Sequence, residues 1–575
     1  MIKLFRFLKP FGWSVAAVLA LIFFQSLSDL YLPTLMSDIV DIGIVNGDTR
    51  YILNIGGLML IFAAASALCM ITAGFLSSKV AAGFGRNLRG MVFSRVESYS
   101  LYEFDSVGTA SLITRTTNDI TQIQQVLIIM MRMMVSAPMM CIGGVIMAAS
   151  KDAVLSLIFV VVLPVLAGAI LLIFRKGVPL FKAMQVNLDT LNRVLREGLT
   201  GIRVVRAFNR LGHERKRFLE ANSRLTDTAI RVNKLMASLM PVMMLVLNLS
   251  TIAIVWFGGI RVDNGDMQVG DMMAFLQYAT QIMFSLIMIS FMFIMLPRAE
   301  ASAVRINEVL NIVPEIKDPE KVKKPDSKRG FVEFKNVTFS YPGAERPAIS
   351  NISFLAGPGQ VTAIIGGTGS GKSTLINLIP RFYDIDGGSI LIDGVDVREM
   401  AQESLRAKIG FVPQKAVLFT GTIADNIRFG KEGATDDEVR RAAETAQAVE
   451  FITGMKDGFD SVIAQGGVNV SGGQKQRLSI ARALVRKPEI YVFDDTFSAL
   501  DFKTDARLRA ALREETADAT VLIVAQRVST VMDADRIIVM EEGKIVGTGS
   551  HKELLNTCGV YREIVYSQLS GEEIA

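Results

Sequence analysis

The sequence predicts two folds in tandem: an all-α domain of six membrane-spanning helices, then an α/β domain with a mainly parallel sheet. Three observations carry this. Half of the 575 residues are hydrophobic (50%), and they fall in long blocks up to about Met295. Beyond that point short β-rich runs alternate with helical ones, in a composition ordinary for a soluble domain. Lysine and arginine crowd into alternate loops between the apolar blocks, as they do on the inner side of a membrane.

Met1 to Pro10 superficially resembles a signal peptide, but the apolar run that follows passes Leu30 without a small-residue cleavage site. The expectation is a short amphipathic helix on the membrane surface, then an uncleaved span. A span needs about 20 apolar residues, and six stretches qualify, near 14–36, 52–78, 122–149, 153–175, 237–261 and 270–297. Lys3, Arg6 and Lys9 precede the first; Lys79, Arg86, Arg89, Arg95 and Arg115 follow the second; a basic run from Arg175 to Lys234 separates the fourth and fifth. The opposite loops hold Asp38, Asp41, Asp48, Asp263 and Asp266 with few bases. Both termini are therefore expected in the cytoplasm, in a multi-pass protein of the cytoplasmic membrane.

The two inner loops keep helical periodicity, so the spans are expected to extend well beyond the bilayer. Tyr102-Glu103-Phe104-Asp105 and Arg206-Ala207-Phe208-Asn209-Arg210 sit near the middle of each, an aromatic among charges at a hairpin tip suited to docking on another domain. Pro314, Pro319 and Pro325 among many charges mark a linker. The resulting partition is a membrane domain over 1–311, a linker over 312–330 and a second domain over 331–575.

Cys69, Cys141 and Cys558 are far apart, which argues against a disulfide framework or metal cluster. The net charge of +5 comes from the loop bases and is no reason to expect a nucleic-acid partner. Inside the spans, Arg132 and Asp29 are costly charges, about 2.5–3.5 kcal/mol each at a helix centre, and are expected to face a cavity, pair or snorkel. Gln277, Tyr278, Gln281 and Ser285 give the sixth span a partly polar face, and the methionines around it suit a deformable pocket or plain packing.

The second domain carries the chemistry. Gly366-Gly367-Thr368-Gly369-Ser370-Gly371-Lys372-Ser373 follows the apolar run Val361–Ile365 and opens a helical run over Ser373–Ile379. That context predicts a loop whose backbone N–H groups wrap phosphates, with Lys372 reaching the β/γ-phosphates and Ser373 on Mg²⁺. Asp494 ends the apolar run Ile490–Phe493 and is expected to hold Mg²⁺ through water; a helix is expected from about Asp505. A third pair is Thr520–Val524 followed by Ser529–Met532. Asp495 stands where a base would polarise the attacking water, and Asp is about 1.5 Å shorter than Glu. A misplacement near 1 Å costs about 100-fold, roughly 2.7 kcal/mol. Gln526 can donate a hydrogen bond but cannot carry charge or shuttle a proton, and neither His213 nor His551 offers a substitute.

Gly366–Ser373, Gln414 in Phe411-Val412-Pro413-Gln414, Ser471-Gly472-Gly473-Gln474, Asp494 and Ser498-Ala499-Leu500-Asp501 together resemble the ATP-binding cassette. Six spans ahead of it resemble the half-size ABC exporters. The resemblance implies that Tyr341 stacks on adenine, that Thr374 belongs to the phosphate cradle, and that Gln414 touches Mg²⁺ and reports nucleotide state. It implies that Asp501 links two sites, and that Ser471, Gly472, Gly473 and Gln474, ahead of a helix over Lys475–Leu484, serve a neighbour's ATP. Gln465 departs from a glutamate that many relatives carry there. Asp495 and Gln526 stand where Glu and His are usual, beside an intact signature. That combination is similar to one subunit of the heterodimeric bacterial multidrug exporters. It implies a second, non-identical half-transporter as partner, and small amphipathic compounds as substrates. A homodimeric lipid or peptide exporter and an ATP-gated channel or regulatory subunit are the alternatives.

Overall fold

The computed structural model describes residues 2–323 and 329–569; Met1, Pro325 of the expected linker and residues 570–575 lie outside them. The chain divides into two units. One comprises Met1–Glu97 with Gly108–Ile312, the other Ser98–Val107 with Val313–Ala575.

In the first unit, six helices among the described residues are long and apolar enough to cross a membrane: Lys3–Ile44, Thr49–Glu97, Thr109–Lys151, Leu157–Thr200, Leu211–Asp263 and Val269–Asn311. Thr49–Glu97 has 49 residues, so it is about 74 Å long, against about 30 Å of bilayer hydrocarbon. The first, second, third and sixth helices pack on one another, while the fourth packs mainly along the fifth. The fourth starts at Leu157 rather than 153, because Asp152 accepts the Leu155 N–H at 2.7 Å and closes a turn first. The N-terminal segment is one α-turn, Ile2–Phe5, then a 3-10 stretch, Arg6–Phe11, that contains Pro10, which has no N–H to give an α-helix.

The second unit holds two sheets. Val332–Phe339 pairs antiparallel with Ile349–Ala356 and Gly387–Ile392. The larger sheet runs Lys544–Gly549, Arg536–Glu541, Val361–Gly366, Thr520–Val524, Ile490–Asp494, Ile409–Val412, parallel except for the first pair. Ile490–Asp494 and Thr520–Val524 are buried at every position, which is why they read as unbroken apolar runs rather than alternating ones. Two helices begin earlier than their apolar patterns indicate. Phe502–Glu515 starts before Asp505 because the Asp501 side chain caps it, accepting the Thr504 N–H at 2.9 Å. Gly472–Leu484 starts before Lys475 because Ser471 and Gln474 form a capping box, whose reciprocal bonds close the first turn over two glycines.

At the ends of the spans nearest Ser37, half-buried and buried polar groups bond across the helices. Asp41 accepts the N–H groups of Gly270 (2.6 Å) and Asp271 (3.1 Å), and Lys151 pairs with Asp271 at 2.8 Å. Asp152, almost fully buried, accepts Arg261 Nε at 2.5 Å. Burial opposes its charge, but the Leu155 N–H and Arg261 outweigh burial and hold the carboxyl below the usual range. The stability it lends is therefore present at neutral pH and lost as the pH falls through that depressed range. Asp152→Ala is expected to cost roughly 2 kcal/mol and lower the melting temperature of the purified protein by several degrees. Asp436→Ala, at a carboxylate left almost wholly in solvent beside Arg428, is expected to change it by less than about 1 kcal/mol. Thermal melts at pH 7 compare the two; equal losses would contradict the role given to burial.

Candidate nucleotide site

Four parallel strands end side by side, and each delivers part of the site. Val361–Gly366 leads into the glycine loop; Thr520–Val524 leads through Ala525 to Gln526; Ile490–Asp494 leads to Asp495; Ile409–Val412 leads through Pro413 to Gln414. Ligands of open parallel sheets bind at such carboxyl ends.

The loop is glycine-rich for steric reasons visible at two positions. A Cβ on Gly366 would sit 2.1 Å from the Met540 carbonyl oxygen. Gly371 has φ +93°, and a Cβ there would also meet the Ala348 carbonyl at 2.8 Å. Lys372 is buried (8% exposed), and its ammonium donates to the carbonyls of Gly366 (2.9 Å) and Gly367 (2.6 Å). Burial pulls its pKa down, against the pull of Asp495 and Asp494. Ser373 Oγ donates to Asp494 Oδ1 at 3.1 Å. Burial pushes the Asp494 carboxyl up, and the neighbouring Asp495 pushes the same way, against the Ser373 hydroxyl and Lys372.

The paired oxygens of Ser373 and Asp494 fit Mg²⁺, an ion that takes one or two hard protein oxygens and fills its shell with water and phosphate. No group of three or more His, Cys, Asp or Glu ligands occurs among the described residues, so such an ion would depend on the phosphates. When bound, it would neutralise phosphate charge; Ser373 and Asp494 would hold it. Gln414, expected as a third metal contact, donates from Nε2 to Asp495 Oδ2 at 3.1 Å.

The same Asp495 oxygen accepts Gln526 Nε2 at 2.9 Å. The residues at both unusual positions are thus joined in one cluster with Gln414. Asp495 is 8% exposed and adopts φ +44°. Tyr341 bonds its hydroxyl to Thr374 Oγ1 at 3.1 Å and stands edge-on to Phe339 and Tyr383. It lines a cavity of about 350 Å³ that these rings hold open. Ser471 and Gly472 are exposed at the start of their helix. Thr368, Gly369 and Ser370 lie in the loop between Gly367 and Gly371, with Gly369 at φ +82°.

Several partners carry no sequence signal. Gln476 donates to the Gln414 carbonyl at 2.6 Å. Gln568, in the terminal helix Gly559–Gln568, accepts the Val528 N–H and donates to the Gln526 carbonyl, both at 2.8 Å. In the segment Ser98–Val107, the buried group is Glu103 rather than an aromatic. It accepts the N–H groups of Ser100 (2.7 Å) and Glu315 (3.0 Å) and the Ser100 hydroxyl. A carboxylate is buried here because three donors satisfy it, whereas Tyr102 stays exposed. At the other tip Phe208 is 75% exposed within its unit. In the spans, Arg132 is exposed and has no ion pair among the described residues, and Asp29 accepts the Ser66 hydroxyl at 2.6 Å instead of pairing with it. Gln277 is exposed. Tyr278 is buried, its hydroxyl 2.7 Å from Thr34 Oγ1, and Gln281 donates to the Asp29 carbonyl at 3.2 Å. Ser285, also buried, donates to Ile282 O. Much of that polar face is therefore spent on helix packing. His551 lies 2.7 Å from the Tyr561 hydroxyl, and Gln465 is exposed.

Residues 15–286 match the ABC transporter transmembrane region, and residues 349–498 match the ABC transporter family. An uncharacterised ABC transporter ATP-binding protein of Mycobacterium tuberculosis is 45% identical over 565 residues, 98% of this chain and 97% of its own. The chain belongs to the ABC transporter family. It is a half-size ABC exporter: a solved bacterial Atm1-family ABC exporter with ATP bound superposes with a TM-score of 0.81 at 26% identity, over 97% of this chain and 98% of that one. The ATP-dependent lipid A-core flippase of Pseudomonas aeruginosa is 33% identical, over 98% of this exporter and 95% of the flippase. The family makes this an ATP-binding protein whose ATPase is coupled to transport.

Asp494 yields a test of the site's electrostatics. Its raised pKa means that the nucleotide-free fold loses stability as the pH rises from the carboxyl's unfolded-state value, the loss being complete above the raised one. Asp494→Asn is expected to raise the nucleotide-free melting temperature at pH 7 by a few degrees, the gain shrinking as acid protonates the native carboxyl. The same variant should lose the extra stabilisation that Mg²⁺ adds to ATP. Melts with and without Mg-ATP at two pH values check both; a destabilised variant at pH 7 contradicts the assignment.

Proposed function

We propose that this exporter is one half of a heterodimer that moves amphipathic compounds across the cytoplasmic membrane, with both termini in the cytoplasm. In this reading residues 1–311 form the membrane domain, 312–330 the linker and 331–575 the cassette. The chain binds Mg-ATP through Tyr341, the Gly366–Ser373 loop, Thr374 and Asp494, but hydrolyses it poorly. Ser471, Gly472, Gly473 and Gln474 complete the productive site of a non-identical partner, and Asp501 links the two.

The observation that carries this is the shared oxygen of Asp495. It accepts amide N–H groups from both Gln414 and Gln526. Two donors fill that oxygen and leave Oδ1 alone to orient an attacking water, from a shorter side chain set further back. Gln526 adds no charge and no proton carrier. Every group needed to hold the triphosphate remains. Multidrug-type substrates are the reading for the membrane half; the lipid substrate in the name of the flippase relative favours amphiphiles in the same way.

The experiment repairs the site. Purified alone, the wild-type chain is expected to turn over ATP slowly, because each site in a self-pair lacks both groups. Asp495→Glu is expected to raise turnover about 100-fold by restoring the reach, and adding Gln526→His to raise it further, since histidine can carry charge and a proton. Robust hydrolysis by the single wild-type chain, abolished by Asp495→Ala, would instead establish the homodimeric exporter.

A further inference from the structure

The first unit contains a cavity of about 320 Å³ between the fourth, fifth and sixth spanning helices. Its walls include Ile170, Phe174, Phe181 and Met236; Lys182 and Arg298 also line it, and no acidic residue does. The two other polar side chains are turned elsewhere. Ser290 donates to the Leu286 carbonyl at 2.8 Å, and Gln185 donates to Asp189 at 3.0 Å. Lys182 and Arg298 have no ion pair among the described residues and are exposed.

The placement along the helices matters. The apolar stretches end near 175 and 297, so Lys182 and Arg298 lie just past them, while Ile170 and Phe174 lie within. One wall is therefore of membrane character and the other end is basic, at the depth where head groups sit. Basic pockets between spanning helices at that level take acidic head groups. The volume is at the small end of ligand cavities, about 300–1,000 Å³, which suits one hydrocarbon chain and not two. Gly177 provides the space: it is buried, and an added Cβ would reach Met236 Cε at 3.5 Å and Leu235 Cδ2 at 3.6 Å, so a longer side chain would extend among the lining residues.

We propose that this cavity binds a single-chain anionic amphiphile, a long-chain fatty acid, with its carboxylate between Lys182 and Arg298 and its chain along Ile170, Phe174 and Met236. The proposal rests on the export reading above and names a substrate class for it. Binding without nucleotide is measured separately from ATP turnover, so either can fail alone.

The full chain is placed in nanodiscs of phosphatidylcholine, without nucleotide, and irradiated with a palmitic acid carrying a diazirine on its chain. Saturable adducts are expected on peptides covering residues 170–185 and 236–239, displaced by oleate and not by methyl oleate or phosphatidylglycerol. Lys182→Gln combined with Arg298→Gln should weaken oleate competition roughly tenfold or more, the loss of about 1.4 kcal/mol. Gly177→Leu should abolish the adducts while the protein still melts cooperatively, leucine's helix preference offsetting part of the crowding against Met236 and Leu235. Equal displacement by methyl oleate or phosphatidylglycerol, or labelling that survives Gly177→Leu, overturns the proposal. Should neither variant fold, the contrast between oleate and methyl oleate on the wild-type chain decides it.

Discussion

The parallel register of four strands is the constraint on which the candidate site depends. Val524 lies opposite both Ile364 and Asp494, and Val412 lies opposite Phe493. The ladder continues one step past the strands, with Ala525 N–H on the Ile364 carbonyl at 3.1 Å and Asp495 N–H on the Val524 carbonyl at 2.9 Å. Those bonds bring the glycine loop, Gln526, Asp495 and Gln414 to one edge. A one-residue slip would turn each side chain to the other face and take Gln526, Asp495 and Gln414 off that shared edge.

Two buried aspartates show how surroundings, not residue type, set the energetics. Asp152 has a guanidinium and a backbone N–H, and its charge supports the fold. Asp494 is buried beside a second carboxylate, which one hydroxyl and the Lys372 charge do not offset, and its charge opposes the fold. Such an unfavourable charge is what a cation could relieve, so the strain sits where Mg²⁺ and phosphate would be recognised. Lys372 is the counterpart: a buried ammonium held on backbone carbonyls, whose charge also awaits a better partner.

The membrane unit divides its polar groups by the same logic. At the ends near Ser37 they are paired: half-buried Asp41, Lys151 and Asp271 around Ser37, and buried Asp152 with Arg261. At the far ends Asp119 accepts the Ser302 hydroxyl at 2.9 Å and pairs with Arg305, while Arg115 pairs with Glu308 at 3.1 Å. Satisfied groups of this kind join helices. Lys182 and Arg298, beside the Gly177 cavity, have no ion pair among the described residues, so solvent or a ligand can serve them.

By itself the sequence determined the two architectures, the six spans and the identity of the loop, because each rests on local periodicity or on steric demands met within a few residues. Gly371, at φ +93°, is glycine for a reason the tight loop itself imposes, whereas Gly366 is glycine because Met540, far along the chain, lies against it. Helix starts at Gly472 and Phe502 were less legible, since caps at Ser471 and Asp501 act outside the apolar pattern. Only the tertiary structure decided that Gln414 and Gln526 share one oxygen of Asp495, that Gln568 holds the backbone around Gln526, and that Glu103 rather than its aromatic neighbours is buried. Those contacts join residues distant in the chain or turn on which donors surround a group. A linear sequence carries the residue types, but hydrogen-bond partners exist only once the strands are in register.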